Sequence, residues 1–190
     1  MVTIQNRRER ERAERHQLII DAARELAEAE GWEAVTTRRL AEKVEYSQPV
    51  LYSHFKGKDA IVRAVAIQGC GELARLMRKA RPEQGESRLK AAAEAYLEFA
   101  AKRPALYDAM FVQQVDIPFG TDEVPQELRD AFGELVAAVG PVAGERDLET
   151  LTEVFWSSLH GIATLTHGHR LRPDHHEARL DLMLSALQGP

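Results

Sequence analysis

Apolar residues recur three or four positions apart along most of the chain, with charged residues between them. This spacing places the apolar side chains on one face of a helix. It is clear in seven segments, 16–30, 59–81, 87–101, 105–112, 126–139, 147–167 and 173–187. No segment shows the alternation of β-branched residues that is expected for a strand. The pattern therefore predicts an all-α fold.

Between the first two of these segments, residues 36–58 (TTRRLAEKVEYSQPVLYSHFKGK) predict two short helices joined by a tight turn. Thr36 or Thr37 can cap the first helix, and Ser47 can cap the second, because side-chain oxygens there can accept from free N–H groups. The arrangement fits a helix-turn-helix, whose second helix enters the DNA major groove. An ordinary corner between two helices, with polar residues on its solvent side, would give the same spacing.

The second short helix carries side chains that suit DNA contact. Gln48 and Pro49 would meet base edges or thymine methyl groups. Tyr52, His54 and Lys58 would mainly reach phosphates. The full set of predicted DNA contacts is Thr37, Arg38, Ser47, Gln48, Pro49, Tyr52, His54 and Lys58.

The run LIIDAARELAEAEGWEAVTTRRLAEKVEYSQPVLYSHFKGKDAIV resembles the N-terminal domain of the TetR family of transcriptional repressors. The resemblance covers about residues 15–65, and the DAA and GW elements, the TTRRLAE helix and the SQPVLYSHFKGKDAI run carry it. The family usually has a small, glycine-type residue at the turn, where this chain has Glu45 followed by Tyr46. The resemblance implies an N-terminal three-helix helix-turn-helix domain and a C-terminal helical domain for ligand binding and dimerisation.

The resemblance also implies the domain boundaries. Residues 1–58 would form an N-terminal arm and the DNA-binding domain, with the helix-turn-helix at about 36–56. Residues 59–190 would form the effector-binding and dimerisation domain, in which 59–81 is the linking helix. The Arg-rich residues 1–15 are expected to extend the first helix, either merely solvated or in contact with the DNA backbone or minor groove.

Charge is unevenly distributed between these parts. The net charge is -5, which gives no bulk attraction to nucleic acid. The first 60 residues hold 11 Lys and Arg and 11 Asp and Glu, so the rest of the chain carries the whole deficit. This distribution fits a protein that grips DNA with one end. Because one helix-turn-helix reads only one half-site, we expect a homodimer on double-stranded DNA with a palindromic operator.

The final two helices are the expected dimer interface, since in this family they form a four-helix bundle with those of the second subunit. The candidate interface residues are Leu148, Leu151, Phe155, Leu180, Met183, Leu184 and Leu187. The alternative is that these residues are buried within one subunit.

The family also places an effector pocket in the C-terminal domain, for which the candidates are Tyr96, Phe99, Tyr107, Met110, Phe111, Trp156 and His160. Trp156 and His160 are four residues apart, hence on one helix face. They belong to a W-x-x-x-H-G element that resembles one C-terminal subfamily of these regulators. Apolar walls with one polar group predict a small apolar or amphipathic effector. An ordinary core containing a buried histidine is the alternative.

Other classes of protein are disfavoured. Cys70 is the single cysteine, so no disulfide can form within the chain. The histidines at 160, 167, 169, 175 and 176 lack accompanying cysteines or a tight carboxylate pattern, so we expect no metal or cofactor. No nucleophile with its base is evident, so we do not expect an enzyme. No apolar run is long enough to span a membrane, and we expect a cytoplasmic protein.

The sequence therefore predicts a DNA-binding transcriptional regulator, in most such cases a repressor, that a small-molecule effector releases from its operator. The alternative is an all-α dimeric DNA-binding protein controlled by a protein partner.

Overall fold

The computed structural model describes residues 4–82, 87–114 and 123–189. Within these ranges the regular structure is nine α-helices and two 3₁₀ turns, with no strand, which confirms the predicted all-α class. The α-helices are α1 (Ile4–Glu30), α2 (Thr37–Lys43), α3 (Gln48–His54), α4 (Lys58–Lys79), α5 (Arg88–Lys102), α6 (Pro104–Phe111), α7 (Gln126–Ala143), α8 (Leu148–His167) and α9 (His176–Gln188). The 3₁₀ turns are Trp32–Ala34 and Pro173–His175.

Short polar side chains begin three of the helices. Thr36 accepts from the N–H of Arg39 at 3.2 Å, Ser87 from Lys90 at 3.3 Å, and Asp147 from Thr150 at 2.8 Å. Each bond satisfies an N–H that has no partner inside its own helix. Of the two threonines that could cap α2, the chain uses Thr36.

Two helix boundaries can be compared with those predicted from the sequence. α1 begins at Ile4, so the Arg-rich start of the chain does extend the first helix. α7 runs through Pro141 to Ala143, whereas the sequence predicted an end at Val139. A proline this near the helix end removes only one of the last backbone bonds, so the helix can continue through it. The predicted loop 116–125 lies mostly outside the described residues.

The chain packs into two compact units. The first contains the residues up to Gly69 together with α6 from Ala105 onwards. The second contains Cys70 to Pro104 and the helices α7 to α9. This grouping differs from the sequence-based division after residue 58, because the first part of α4 and nearly all of α6 pack with the N-terminal helices.

Two polar contacts attach α6 to the first unit. The buried Trp32 donates its indole N–H to the carbonyl oxygen of Ala105 at 2.8 Å. The carboxylate of Glu28 accepts from the backbone N–H of Leu106 at 3.2 Å. Because a carboxylate stabilises the positive end of a helix, Glu28 acts as a cap for α6 from a distant part of the sequence.

α6 packs against α4 at Gly69. A Cβ atom placed at Gly69 would lie 2.6 Å from the sulfur of Met110 and 2.9 Å from Cδ1 of Leu106. Both neighbours are buried, so they have little room to move. This crossing therefore depends on the absence of a side chain at residue 69.

The second unit has its core between α5, α7 and α8, where Tyr96, Phe155 and Leu159 are completely buried. Cys70 is buried too, and burial raises the pKa of its thiol to about 12.

A buried carboxylate joins α7 to the end of α4 in this unit. Glu134 is 5% exposed and accepts from Arg78 at 2.9 Å and from Arg81 at 2.5 Å. The two arginine side chains are about half exposed, at 50% and 44%. The charge that is removed from water is therefore chiefly that of the carboxylate.

Candidate functional sites

The candidate DNA-reading helix, α3, presents a polar face outward. Leu51 has no exposed surface and Phe55, just beyond the helix, is 4% exposed, so these two anchor α3 in the core of the first unit. Gln48 and Pro49 are exposed, and Tyr52 is 52% exposed. The predicted base-contacting residues are therefore available to a partner, as the helix-turn-helix prediction requires.

Ser47 occupies the N-cap position of α3, but its side chain makes no capping hydrogen bond. The prediction that this hydroxyl caps the helix is wrong in that respect. Since Pro49 has no N–H, the first turn offers fewer donors for a cap. Ser47 is exposed, and its hydroxyl is not committed to the helix.

The turn before α3 ends α2 with a left-handed residue. Glu45 has a φ of 57°, the N–H of Tyr46 donates to the carbonyl of Ala41 at 2.9 Å, and that of Glu45 donates to Glu42 at 3.3 Å. These two bonds are the pattern of a Schellman motif, which usually has glycine at the left-handed position. The turn thus keeps the expected geometry with a glutamate in the place of the family's small residue.

The remaining predicted DNA contacts differ in their exposure and in the bonds that they already make within the protein. Thr37 opens α2 and is half-buried. Arg38 donates to Glu42 at 3.0 Å, but its side chain is 78% exposed and such surface pairs are weak. Lys58 donates to the carbonyl of Trp32 at 2.5 Å and is half-buried. An ammonium has three N–H groups, so Lys58 could still donate to a phosphate while it keeps this internal bond.

His54 is the least suited of the set to pair with phosphate through charge. Its Nδ1 atom is buried and has no hydrogen-bond partner among the described residues. The ring centroid lies 6.1 Å from that of His16, and His16 in turn stacks on Phe55 with the ring centroids 4.2 Å apart. Burial and the charges of His16, Arg12 and Arg15 lower the pKa of His54, so the ring is largely neutral near pH 7.

The predicted effector residues fall in both compact units. Tyr107, Met110 and Phe111 belong to the first unit, where Tyr107 and Phe111 make an edge-to-face contact with centroids 4.9 Å apart. The other four belong to the second unit and are Tyr96, Phe99, Trp156 and His160.

The group in the second unit combines apolar rings with a few polar atoms. The indole N–H of Trp156 donates to the hydroxyl of Tyr96 at 3.1 Å, which joins α8 to α5. His160 lies one turn further along α8, and burial lowers the pKa of its imidazole. A neutral imidazole can donate or accept a hydrogen bond. Together these side chains could bind a molecule that is mostly apolar with one or two polar groups.

The candidate dimer residues divide by exposure. Phe155, Leu180, Leu184 and Leu187 are buried within the subunit. Leu148, Leu151 and Met183 are half-buried. A side chain such as Phe155, with no exposed surface, has nothing further to bury against a partner, so its burial is explained inside one chain.

Three exposed apolar residues of α8 and α9 were not among the predicted interface residues. Val154 is 49% exposed, Leu165 is 40% exposed and Leu182 is 74% exposed. Val154 and Leu165 are eleven residues apart and so share a face of α8. Gly161 lies between them, and a Cβ there would meet nothing within 4 Å. The apolar residues of α8 are too many for one side of a helix, but their spacing alone does not tell which of them face the core.

In the described parts of the chain, no three His, Cys, Asp or Glu side chains are grouped so as to hold a metal ion. A separate property concerns membranes: none of the helices within the described ranges combines the length and the apolar character needed to cross one.

Comparison with known proteins identifies both halves of the chain. Residues 19–65 match the family described as bacterial regulatory proteins, tetR family, and residues 89–187 match the tetracyclin repressor-like, C-terminal domain. An uncharacterised helix-turn-helix transcriptional regulator of Bacillus subtilis, YobS, is 31% identical over 149 residues, which cover 78% of this chain and 76% of the relative.

Solved structures share the fold. A protein of unknown function from Rhodococcus sp. RHA1 superposes with a TM-score of 0.70 at 23% identity, over 90% of this chain and 91% of its own. A TetR variant of Acinetobacter baumannii in complex with minocycline gives a TM-score of 0.60 at 22% identity, over 90% and 92% of the two chains. The family matches extend over the DNA-binding helices and more than half of the chain beyond them. The chain therefore belongs to the TetR family of bacterial regulatory proteins, and it is a DNA-binding transcriptional regulator rather than an enzyme.

Proposed function

We propose that this regulator is a homodimeric repressor that leaves a palindromic operator when a small apolar or amphipathic molecule binds its C-terminal domain. The outward face of α3 is the observation that carries the proposal. Gln48, Pro49 and Tyr52 project from a helix whose other side is fixed by buried Leu51. Such a face can meet base edges while Arg38 and Tyr52 contact the phosphates.

Pairing of two subunits is supported by the exposed apolar side chains of α8 and α9. Leu182, at 74% exposure, is costly to leave in water, as are Val154 and Leu165. A second copy would cover them in a self-complementary contact, the usual form of a two-fold interface. The half-buried Leu151 and Met183 would add to this contact, so part of the predicted interface set remains in the proposal.

The effector site is proposed around Trp156, Tyr96 and His160, the residues of the W-x-x-x-H-G element and its neighbour on α5. The TetR variant of Acinetobacter baumannii, whose structure was solved in complex with minocycline, is an example of a protein of this fold that binds a small molecule. The energetic demand on the effector is modest. A tenfold loss of operator affinity corresponds to about 1.4 kcal/mol of coupling between the two sites.

The DNA-binding part is tested by selecting duplexes from a random pool with the wild-type protein and measuring their affinity. Gln48→Ala should reduce discrimination between selected and scrambled duplexes, with a loss of about 1–3 kcal/mol on the selected one. Tyr52→Ala should weaken binding to both kinds of duplex. Gln114→Ala is the matched control, since Gln114 is an exposed glutamine of the same compact unit outside α3. Equal affinities of the wild type and Gln48→Ala for the selected duplex would refute the assignment of α3.

The effector part is tested by screening compounds for release of the selected duplex. Tyr96→Phe removes the hydroxyl that accepts this hydrogen bond and keeps the ring, whereas Trp156→Phe removes the donor together with part of the indole ring. Both should change the compound concentration that gives half release, while operator affinity without the compound stays the same. If either variant instead loses operator affinity or dimer formation, this pair is structural and the site lies elsewhere.

A further inference from the structure

The first half of α1 is not needed to fill the core. From Gln5 to Leu18 no side chain is buried, and the next residue, Ile19, has no exposed surface. This exposed extension holds five arginines, Arg7, Arg8, Arg10, Arg12 and Arg15. Its first turn contains no acidic residue that would compensate the positive end of the helix dipole.

The five arginines are not equivalent. Arg7 pairs with Glu11 at 2.8 Å, Arg10 pairs with Glu14 at 3.9 Å, and Arg15 approaches Glu11 at 3.9 Å. Arg8 and Arg12 are exposed, and neither forms an ion pair with any residue of the described chain. These two guanidinium groups therefore keep their full capacity to bind an anion.

The unpaired arginines lie on the face of α1 that, further along the helix, packs against the core of the first unit. At 100° per residue, Arg8 and Arg12 each fall within about 20° of the direction of Ile19, which faces the core. His16, one turn after Arg12, stacks on Phe55 directly beyond the end of α3. The charge of Arg12 is close enough to lower the pKa of His54, the last residue of α3. Arg12 is thus near the end of the helix that reads DNA.

We propose that Arg8 and Arg12 form a second contact with DNA, binding phosphates that flank the half-site read by α3. The inference rests on the proposed operator binding and extends it to a surface outside the helix-turn-helix. At 1.5 Å per residue, the extension from His16 back to Arg8 covers about 12 Å. Duplex DNA carries one charge per about 1.7 Å of its axis, so phosphates lie within reach along this length. Bidentate pairs with phosphates would supply the counter-charges that Arg8 and Arg12 lack within the described chain.

The test compares two double variants of equal charge. Arg8→Gln with Arg12→Gln removes the unpaired arginines, and Arg7→Gln with Arg10→Gln removes two that already pair with glutamates on other faces of α1. Glutamine and arginine have similar helix propensities, so both proteins should keep the helix content of the wild type by circular dichroism. The DNA is the duplex selected by the wild-type protein, in one form with flanks of about ten base pairs and in one trimmed to the half-sites.

Affinity is measured between about 50 and 200 mM NaCl, where phosphate contacts dominate the salt dependence. The Arg8/Arg12 variant should bind the long duplex roughly tenfold more weakly at low salt, with a salt slope smaller by about 0.9 for each lost contact. The wild type should weaken to the same extent when the flanks are trimmed, whereas the Arg8/Arg12 variant should lose nothing more. The Arg7/Arg10 variant should stay within about twofold of the wild type.

Equal losses in the two double variants would overturn the inference, because they would reflect general charge alone. Wild-type affinity that does not depend on the flanks would overturn it as well. Failure of the underlying function looks different: the wild type would select no duplex, or Gln48→Ala would bind the selected duplex as well as the wild type does.

Discussion

The imidazole of His16 stacks on the phenyl ring of Phe55, with 4.2 Å between the ring centroids. This contact packs α1 against the end of α3 and removes part of the imidazole from water. Burial, together with the charge of Arg12, lowers the pKa of His16, and burial also lowers that of the neighbouring His54. Protonation of either ring is therefore easier in the unfolded chain than in the folded one.

The folded protein should lose stability as the pH falls below about 6.5, the ordinary histidine value. Above this value both states are neutral at these rings and the stability is complete. Below it the unfolded chain takes up protons first, so stability falls until the lowered folded pKa is also passed. The melting temperature between about pH 7.5 and 5 measures this effect.

His16→Gln with His54→Gln should reduce this pH dependence, and His175→Gln, at an exposed position, should leave it unchanged. Some dependence should remain in the double variant, since burial also lowers the pKa of His160. A double variant with the full wild-type pH dependence would show that these rings do not carry the effect.

Glu45→Gly should stabilise the protein. Glu45 is exposed and holds a φ of 57°, which costs a residue with a Cβ about 1 kcal/mol and costs glycine almost nothing. Chemical denaturation should give a gain of up to about 1 kcal/mol in the free energy of unfolding. Glu45→Ala loses the same carboxylate but keeps the Cβ, so it should stay within about 0.5 kcal/mol of the wild type. An equal gain in both variants would mean that the carboxylate, not the backbone, is unfavourable here.

Gly69→Ala should destabilise the protein even though alanine is the better helix former. The added methyl would overlap the sulfur of Met110 and a methyl of Leu106, both buried. Overpacking of this kind costs about 1–3 kcal/mol in the free energy of unfolding. Gly133→Ala is the control, because Gly133 also lies inside a helix but its Cβ would meet nothing within 4 Å. That change should instead be neutral or stabilise by up to about 1 kcal/mol.

Removing the arginines that pair with Glu134 should cost more than removing the glutamate. Arg78→Gln with Arg81→Gln leaves a carboxylate that is 5% exposed without its counter-charges, a loss of about 3–5 kcal/mol in the free energy of unfolding. Glu134→Gln leaves two half-exposed guanidinium groups that water can solvate, so we expect a loss of about 1–2 kcal/mol. Urea denaturation of the variants gives the order, and the reverse order would show that the carboxylate is better hydrated than its exposure suggests.

Local patterns were enough to predict the helices and which face of α3 turns outward. Apolar spacing and the capping residue Thr36 act within a few residues of where they stand, so the sequence displays them directly. The same holds for the outward position of Gln48 and Tyr52, since buried Leu51 fixes which side of α3 turns inward.

Contacts between distant residues could not be predicted in this way. The bond from Trp32 to Ala105 joins residues 73 positions apart and helps to place α6 with the N-terminal helices. Nothing near Trp32 in the sequence indicates this partner. The exposed apolar face of α8 was missed for a related reason. Val154 and Phe155 are adjacent in the chain and both are apolar, and only packing decides that Phe155 is the one turned inward.

The buried thiol of Cys70 can report local opening of the folded protein. Thiol reagents attack the thiolate, and a buried thiol with a pKa of about 12 provides almost none of it at neutral pH. A chromogenic disulfide reagent would then modify the native chain only during transient exposure of the helix around Cys70. Because this is the single cysteine in the sequence, the labelling rate would record those openings, and any change on adding DNA or a candidate effector, without an engineered tag.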